Sequence, residues 1–168
     1  GKVPIPSGDV ELKIPAGSNQ GSKMRLKGKG LPTEAAPDLE TAVREADLIS
    51  CATLSREPLV RGDWLKPGAH LDLVGAFTPE MRESDDRAMQ VGTVFVDTRA
   101  GATKEGGDIV QAMASGAITT DSIAADLHDL TRGDHPGRRD AGEITVFKSV
   151  GAALEDLAAA AEVLDEFV

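Results

Sequence analysis

Apolar and polar residues alternate strictly along the first 32 positions. Val10, Leu12 and Ile14 are separated by Glu11 and Lys13, and Met24 and Leu26 by Lys23, Arg25 and Lys27. A period of two predicts half-buried strands with one wet face. The glycine-containing stretch from Pro15 to Gly21 predicts a loop between them. Val3 and Ile5 alternate around Pro4, which has no N–H to donate, so a strand there is an edge strand or none. From Pro37 the period changes. Leu39, Ala42, Val43 and Ala46 share one stripe of a helix opened by Pro37-Asp38. Short runs rich in β-branched residues come next, at Leu48–Ala52, His70–Val74, Thr93–Val96 and Ile144–Phe147. Helical stretches are expected at Asp85–Met89, Gly107–Ala114, Thr120–Leu130 and Gly151–Phe167. The last carries Leu154, Leu157, Ala158, Ala161 and Leu164 on one stripe, and Arg132–Gly142 reads as an exposed loop. Buried strands alternating with helices predict an α/β fold: a mostly parallel sheet with helices on both faces.

Composition narrows this. The chain has 168 residues with four Phe, one Trp and no Tyr, so its core rests on Ala, Leu, Val and Ile. One cysteine, Cys51, excludes an internal disulfide and gives no argument for an oxidising compartment. No apolar run nears the roughly 18 residues that span a bilayer, and no basic-then-apolar leader precedes Lys2; a soluble, cytoplasmic protein without a membrane partner is expected. The net charge of −10 argues against nucleic acid as partner. It is unevenly spread: residues 1–32 hold six basic and two acidic side chains, +4, leaving −14 for the remainder. That break suggests mixed ancestry, although basic ends on acidic domains are common.

Residues 35–168 resemble the second half of the ornithine cyclodeaminase/μ-crystallin family. The resemblance is carried by Ala46-Asp47-Leu48-Ile49-Ser50-Cys51-Ala52-Thr53, Ser55-Arg56-Glu57-Pro58-Leu59, Trp64-Leu65-Lys66-Pro67-Gly68-Ala69-His70, Leu73-Val74-Gly75-Ala76-Phe77-Thr78-Pro79, Val94-Phe95-Val96-Asp97 and Gly142–Gly151. It implies a Rossmann-like sheet in which Thr53, Val74, Gly75, Ala76, Ser149, Val150 and Gly151 wall the nicotinamide of NAD(P), at the carboxyl ends of parallel strands. Where cyclodeaminases carry a catalytic aspartate after the Val-Gly pair, this chain has Ala76 and Phe77, which favours the reductase-like branch. The family's substrate domain, with its catalytic lysine and arginines, and its glycine-rich fingerprint have no counterpart in the sequence. Gly28-Lys29-Gly30 lacks the third glycine and is followed by Pro32, so no helix N-terminus is aimed at a pyrophosphate.

The first 32 residues resemble instead the C-terminal substrate-binding region of DnaJ-type co-chaperones, through Val3-Pro4-Ile5-Pro6-Ser7-Gly8-Asp9-Val10-Glu11-Leu12-Lys13-Ile14-Pro15-Ala16-Gly17-Ser18 and Arg25-Leu26-Lys27-Gly28-Lys29-Gly30-Leu31-Pro32. Taken together, the resemblances imply a chimera: a DnaJ-like β segment at 1–33 and a truncated Rossmann-like segment at 34–168, merged into one domain. Laboratory recombination, or else a natural fusion or misassembled gene, would produce it. In a sheet of order 3-2-1-4-5-6, loss of the first three strands bares the Asp47–Thr53 strand. The strands Val10–Ile14 and Lys23–Lys27 are expected to pair with it as an antiparallel hairpin; a homodimer through the exposed sheet edge is the alternative.

The functional expectation is therefore a chain without evolved activity: not an enzyme, no catalytic residue, no cofactor beyond weak residual NAD(P) binding, no metal. The alternatives are an NAD(P)-binding protein of the ketimine reductase type and a client-binding DnaJ fragment. His128 and His135 lack the spacing of helical ligand pairs and read as surface histidines. Cys51 reads as a buried inert thiol, and Glu80, Glu83, Asp85 and Asp86 as a solvated helix start. Lys23, Arg25, Lys27 and Lys29 read as the wet face of a strand rather than a phosphate site, since no aromatics interleave for base stacking.

Overall fold

The structure, a computed structural model, describes residues 2–5, 8–11 and 35–165. The chain divides into two compact units, Gly1–Ala36 and Pro37–Val168. In the first, β1 (Lys2–Ile5) and β2 (Gly8–Glu11) pair antiparallel, with Val3 opposite Val10 and Pro4 opposite Asp9. Both strands of a two-stranded ribbon are edges, which is where a proline is tolerated.

The second unit carries a five-stranded, all-parallel sheet of order β3-β4-β7-β5-β6. Its strands are β3 (Leu48–Cys51), β4 (His70–Leu73), β5 (Thr93–Val96), β6 (Ile123–Asp126) and β7 (Thr145–Lys148). The last strand in sequence is thus the central one. Leu71, Val146 and Val94 form one row across the sheet, and Leu73, Lys148 and Val96 another. On this face the strands pack against α1 (Leu39–Glu45), α2 (Asp86–Val91), α3 (Arg99–Ala102) and α4 (Gly107–Ala114), through Val43, Ala88, Met89, Ala102, Ile109 and Ala112. Ala88, Ala102 and Ala112 are fully buried, so small side chains let the helices lie close to the sheet, as the shortage of aromatics requires. On the other face α5 (Leu127–Arg132) brings Leu127 and Leu130 over Phe95 and Phe147, beside a cavity of about 440 Å³. His135 meets Phe95 edge-on at 5.3 Å between ring centroids. α6 (Ala153–Asp165) has the expected stripe, but Leu154, Leu157 and Leu164 remain exposed among the described residues.

Local chemistry sets the element ends. Asp38, Asp85, Thr98 and Asp126 each cap a helix with a side-chain oxygen that accepts from a backbone N–H three residues on. α5 stops at Gly133, whose φ of +77° is costly for any residue with a Cβ.

Three expectations need correction. The hairpin does not extend the parallel sheet: β1 and β2 form a sheet of their own. Val10 finds Val3 a few residues away, and closing so short a loop costs little entropy. The remaining residues assigned to that hairpin, 12–14 and Lys23–Lys27, lie outside the described residues. The helix expected over Thr120–Leu130 is instead a short turn at Thr120–Ser122, the strand β6 and then α5. Ile123-Ala124-Ala125-Asp126 has a helix former's composition, but pairing with β5 and the burial of Ile123 and Ala125 decide its conformation. Glu83 is not a solvated residue at a helix start; it is fully buried.

The central row makes a test. Leu71→Ala, at a fully buried position, should cost about 2–5 kcal/mol in urea unfolding. Leu48→Ala, on β3 and 64% exposed, should stay within about 0.5 kcal/mol of the parent.

Candidate functional site

β3, β4 and β7 are neighbours running in one direction, so their carboxyl ends open side by side. Thr53 comes after β3, Val74-Gly75-Ala76 after β4, and Ser149-Val150-Gly151 after β7. Backbone hydrogen bonds carry the ladder to this rim: Val74 donates to the Cys51 carbonyl at 2.8 Å and Ser149 to the Leu73 carbonyl at 3.0 Å. The seven residues expected from the resemblance therefore share one edge of the fold.

Two buried carboxylates hold that edge. Glu83 Oε1 accepts from Thr53 N at 2.5 Å and Thr53 Oγ1 at 2.8 Å, while its Oε2 accepts from Gly75 N at 2.9 Å and Ala76 N at 3.3 Å. One side chain thereby ties the end of β3 to the end of β4. The fit requires glycine at position 75: a Cβ there would lie 2.0 Å from the Thr53 carbonyl oxygen. Asp97, the residue after β5, does the same for β7. Its Oδ2 accepts from Ser149 Oγ at 3.1 Å, Val150 N at 2.7 Å and Gly151 N at 2.9 Å, and its Oδ1 from Thr98 N at 2.6 Å. Bonds from N–H groups to an ionised acceptor are among the stronger kinds.

Beneath lies a buried cation. Lys148 Nζ donates to the Leu73 carbonyl at 3.2 Å and stands 3.9 Å from Asp108 Oδ2, both side chains being fully buried. Asp108 Oδ1 accepts from Glu83 N, Ser84 N and Ser84 Oγ at 2.8–3.0 Å, and so fixes the segment that carries Glu83. Oδ2 has no hydrogen-bond donor among the described residues. Burial pushes the Asp108 carboxyl up, against the hydrogen bonds from Ser84 and the charge of Lys148. Burial likewise pulls the Lys148 ammonium down, against the attraction of Asp108, Glu83, Asp97 and Asp72.

The groups left free decide what this edge can offer a ligand. The N–H groups of Thr53, Gly75, Ala76, Val150 and Gly151 are all committed to Glu83 or Asp97. They cannot cradle a phosphate. Exposed instead are apolar side chains, Leu54 at 69%, Val74 at 44% and Phe77 at 46%. Gly151, at φ +88°, faces open space where a Cβ would project. A rim of this kind offers a ligand apolar contact and no donor set for a phosphate.

The resemblance singles out the seven wall residues but not Glu83, Asp108 or Lys148. Asp97 carried a signal, since a carboxylate closing the buried run Thr93–Val96 must lie at a strand's carboxyl end. His135 packs on Phe95, while His128, on α5, lines a cavity with Asp97, Thr98 and Ala152.

The sequence profile of the ornithine cyclodeaminase/mu-crystallin family matches residues 14–168. The chain belongs to this family. It is 44% identical over 132 residues to a Delta(1)-pyrroline-2-carboxylate reductase of Paracoccus denitrificans, covering 79% of this chain and 42% of that protein. It is 42% identical over 129 residues to the ketimine reductase mu-crystallin of Mus musculus, covering 77% of this chain and 38% of that one. Among solved structures, the Delta(1)-pyrroline-2-carboxylate reductase of Thermococcus litoralis in complex with NADH and L-proline superposes with a TM-score of 0.68 at 38% identity, covering 70% of this chain and 36% of that one. The chain thus spans about two fifths of the length of the relatives it matches.

These findings overturn the chimera, and with it the DnaJ ancestry and the expectation of no evolved activity. They equally overturn the expectations that the chain is not an enzyme and takes no cofactor. The family match begins at Ile14 and so spans the supposed junction near residue 33. Alternating strands with Gly- and Pro-rich turns recur in unrelated folds, so a resemblance over a fifth of the chain carried too little weight. The relatives are named reductases, and a solved one holds NADH.

Glu83→Ala leaves three backbone N–H groups of the rim without an acceptor. It should cost at least about 3 kcal/mol in chemical denaturation, with Glu83→Gln less harmful because it keeps one oxygen. The Cys51 thiol is pushed up to about 12, first by burial and then by the charges of Glu83, Asp108 and Asp72. At pH 8 iodoacetamide should therefore label it in denaturant and not in the folded protein.

Proposed function

We propose that this chain is the nicotinamide-side half of an NAD(P)-dependent reductase acting on cyclic imines. The observation that supports it most is the rim of β3, β4 and β7, with Thr53, Val74, Gly75, Ala76, Ser149, Val150 and Gly151 as its cofactor-binding walls. A reduced dinucleotide held there would supply hydride-transfer chemistry for reduction of a C=N bond. The residues of this chain hold the ring and exclude water from one side of it. Glu83 and Asp97 fix the walls before any ligand arrives, so little ordering is left to oppose binding.

The residues after the Val-Gly pair favour reduction over deamination. Ala76 is fully buried and Phe77 is exposed, so neither provides a carboxylate to take a proton from an amino acid. The kinship with proteins named pyrroline-2-carboxylate and ketimine reductases supports the same choice.

Titration of NADH and NADPH, monitored by their fluorescence, should give saturable binding. Val74→Asp, at a wall position that is 44% exposed, should weaken it at least about tenfold, or 1.4 kcal/mol, with circular dichroism unchanged. Absence of saturable binding at millimolar nucleotide would refute the proposal.

A further inference from the structure

Among the described residues the two carboxylates that fix the walls form no direct ion pair, and the Lys148 charge beneath attracts both from farther away. Among the described residues neither Glu83 nor Asp97 has a Lys, Arg or His nitrogen within 4.0 Å. Their partners are neutral N–H and O–H groups. Lys148 stands nearest to Asp108 and its single charge is shared among Asp108, Glu83, Asp97 and Asp72, which leaves a negative surplus that includes Glu83 and Asp97, respectively 0% and 1% exposed. Each lies one backbone N–H behind the wall, where water cannot screen it as it would at the surface.

We propose that Glu83 and Asp97 are positioning residues that also bias this site toward the oxidised nicotinamide ring over the reduced one. The inference rests on the function proposed above. A nicotinamide ring is cationic when oxidised and neutral when reduced. A fixed negative potential behind the walls stabilises the cation and leaves the neutral ring nearly indifferent. The site then holds the product form of the ring more tightly than its shape alone would, which favours hydride donation to the imine. Hydrogen bonding alone would need no surplus charge here, since an amide or a water could accept from the same N–H groups.

Asp97→Asn separates charge from geometry. Its oxygen can still accept from Ser149 Oγ, Val150 N and Gly151 N, and only the Thr98 N bond is given up. The probes are oxidised and reduced nicotinamide mononucleotide, which share one phosphate and differ by the ring charge, titrated into the whole chain by NMR. Asp97→Asn should lower the preference for the oxidised over the reduced form about three- to tenfold. Glu83→Gln should shift it in the same direction, and serves if the first variant does not fold. Loss of both affinities by the same factor would mean that the carboxylates are mere struts, and would overturn this inference alone. Failure of the parent chain to bind either probe would overturn the proposed function and this inference with it.

Discussion

Everything at the carboxyl edge depends on placing a charged oxygen where backbone N–H groups have no strand to pair with. Parallel strands stop together, and beyond the last rung their donors point into the protein without partners. Buried donors left so would each cost on the order of 1–3 kcal/mol. Glu83 meets those of β3 and β4, and Asp97 meets those just beyond β7. A side chain from a distant segment thus takes over where the ladder ends, and the loops are held as firmly as the strands.

That solution brings its own difficulty, since a carboxylate in a dry interior is expensive. Four hydrogen bonds meet each of the two, while Asp108 and Lys148 share the layer beneath. A buried ion pair is weak evidence for stability, because removing the charges from water offsets most of their attraction. Its better-supported role here is geometric: Asp108 fixes the backbone at Glu83 and Ser84, and Glu83 in turn fixes Thr53, Gly75 and Ala76.

The parallel sheet was legible because β-branched runs such as Thr93–Val96 can hardly be anything else, and the positions at its carboxyl edge because the motifs that carry the resemblance come directly after those runs. β6 was not, since two alanines conceal a strand that only pairing with β5 stabilises. Glu83 was not, since a carboxylate among Arg82, Asp85 and Asp86 reads as wet until the fold shows Asp108 beneath it. The N-terminal stretch misled for the opposite reason: its alternation was plain, and it said nothing about ancestry.

The placement of β7 carries a consequence for how the molecule comes into being. The strand that separates β4 from β5 is the last of these five to leave the ribosome, and until it arrives they form two unjoined pairs, β3 with β4 and β5 with β6. Leu71 and Val94 then have no Val146 between them, and each pair shows an open inner edge. Non-local pairings of this sort slow folding, and nascent chains with bare apolar edges are prone to associate. Cooperative folding of these five strands must therefore wait for β7: among the described elements, a chain stopped before Thr145 holds α1–α5 and no continuous parallel sheet.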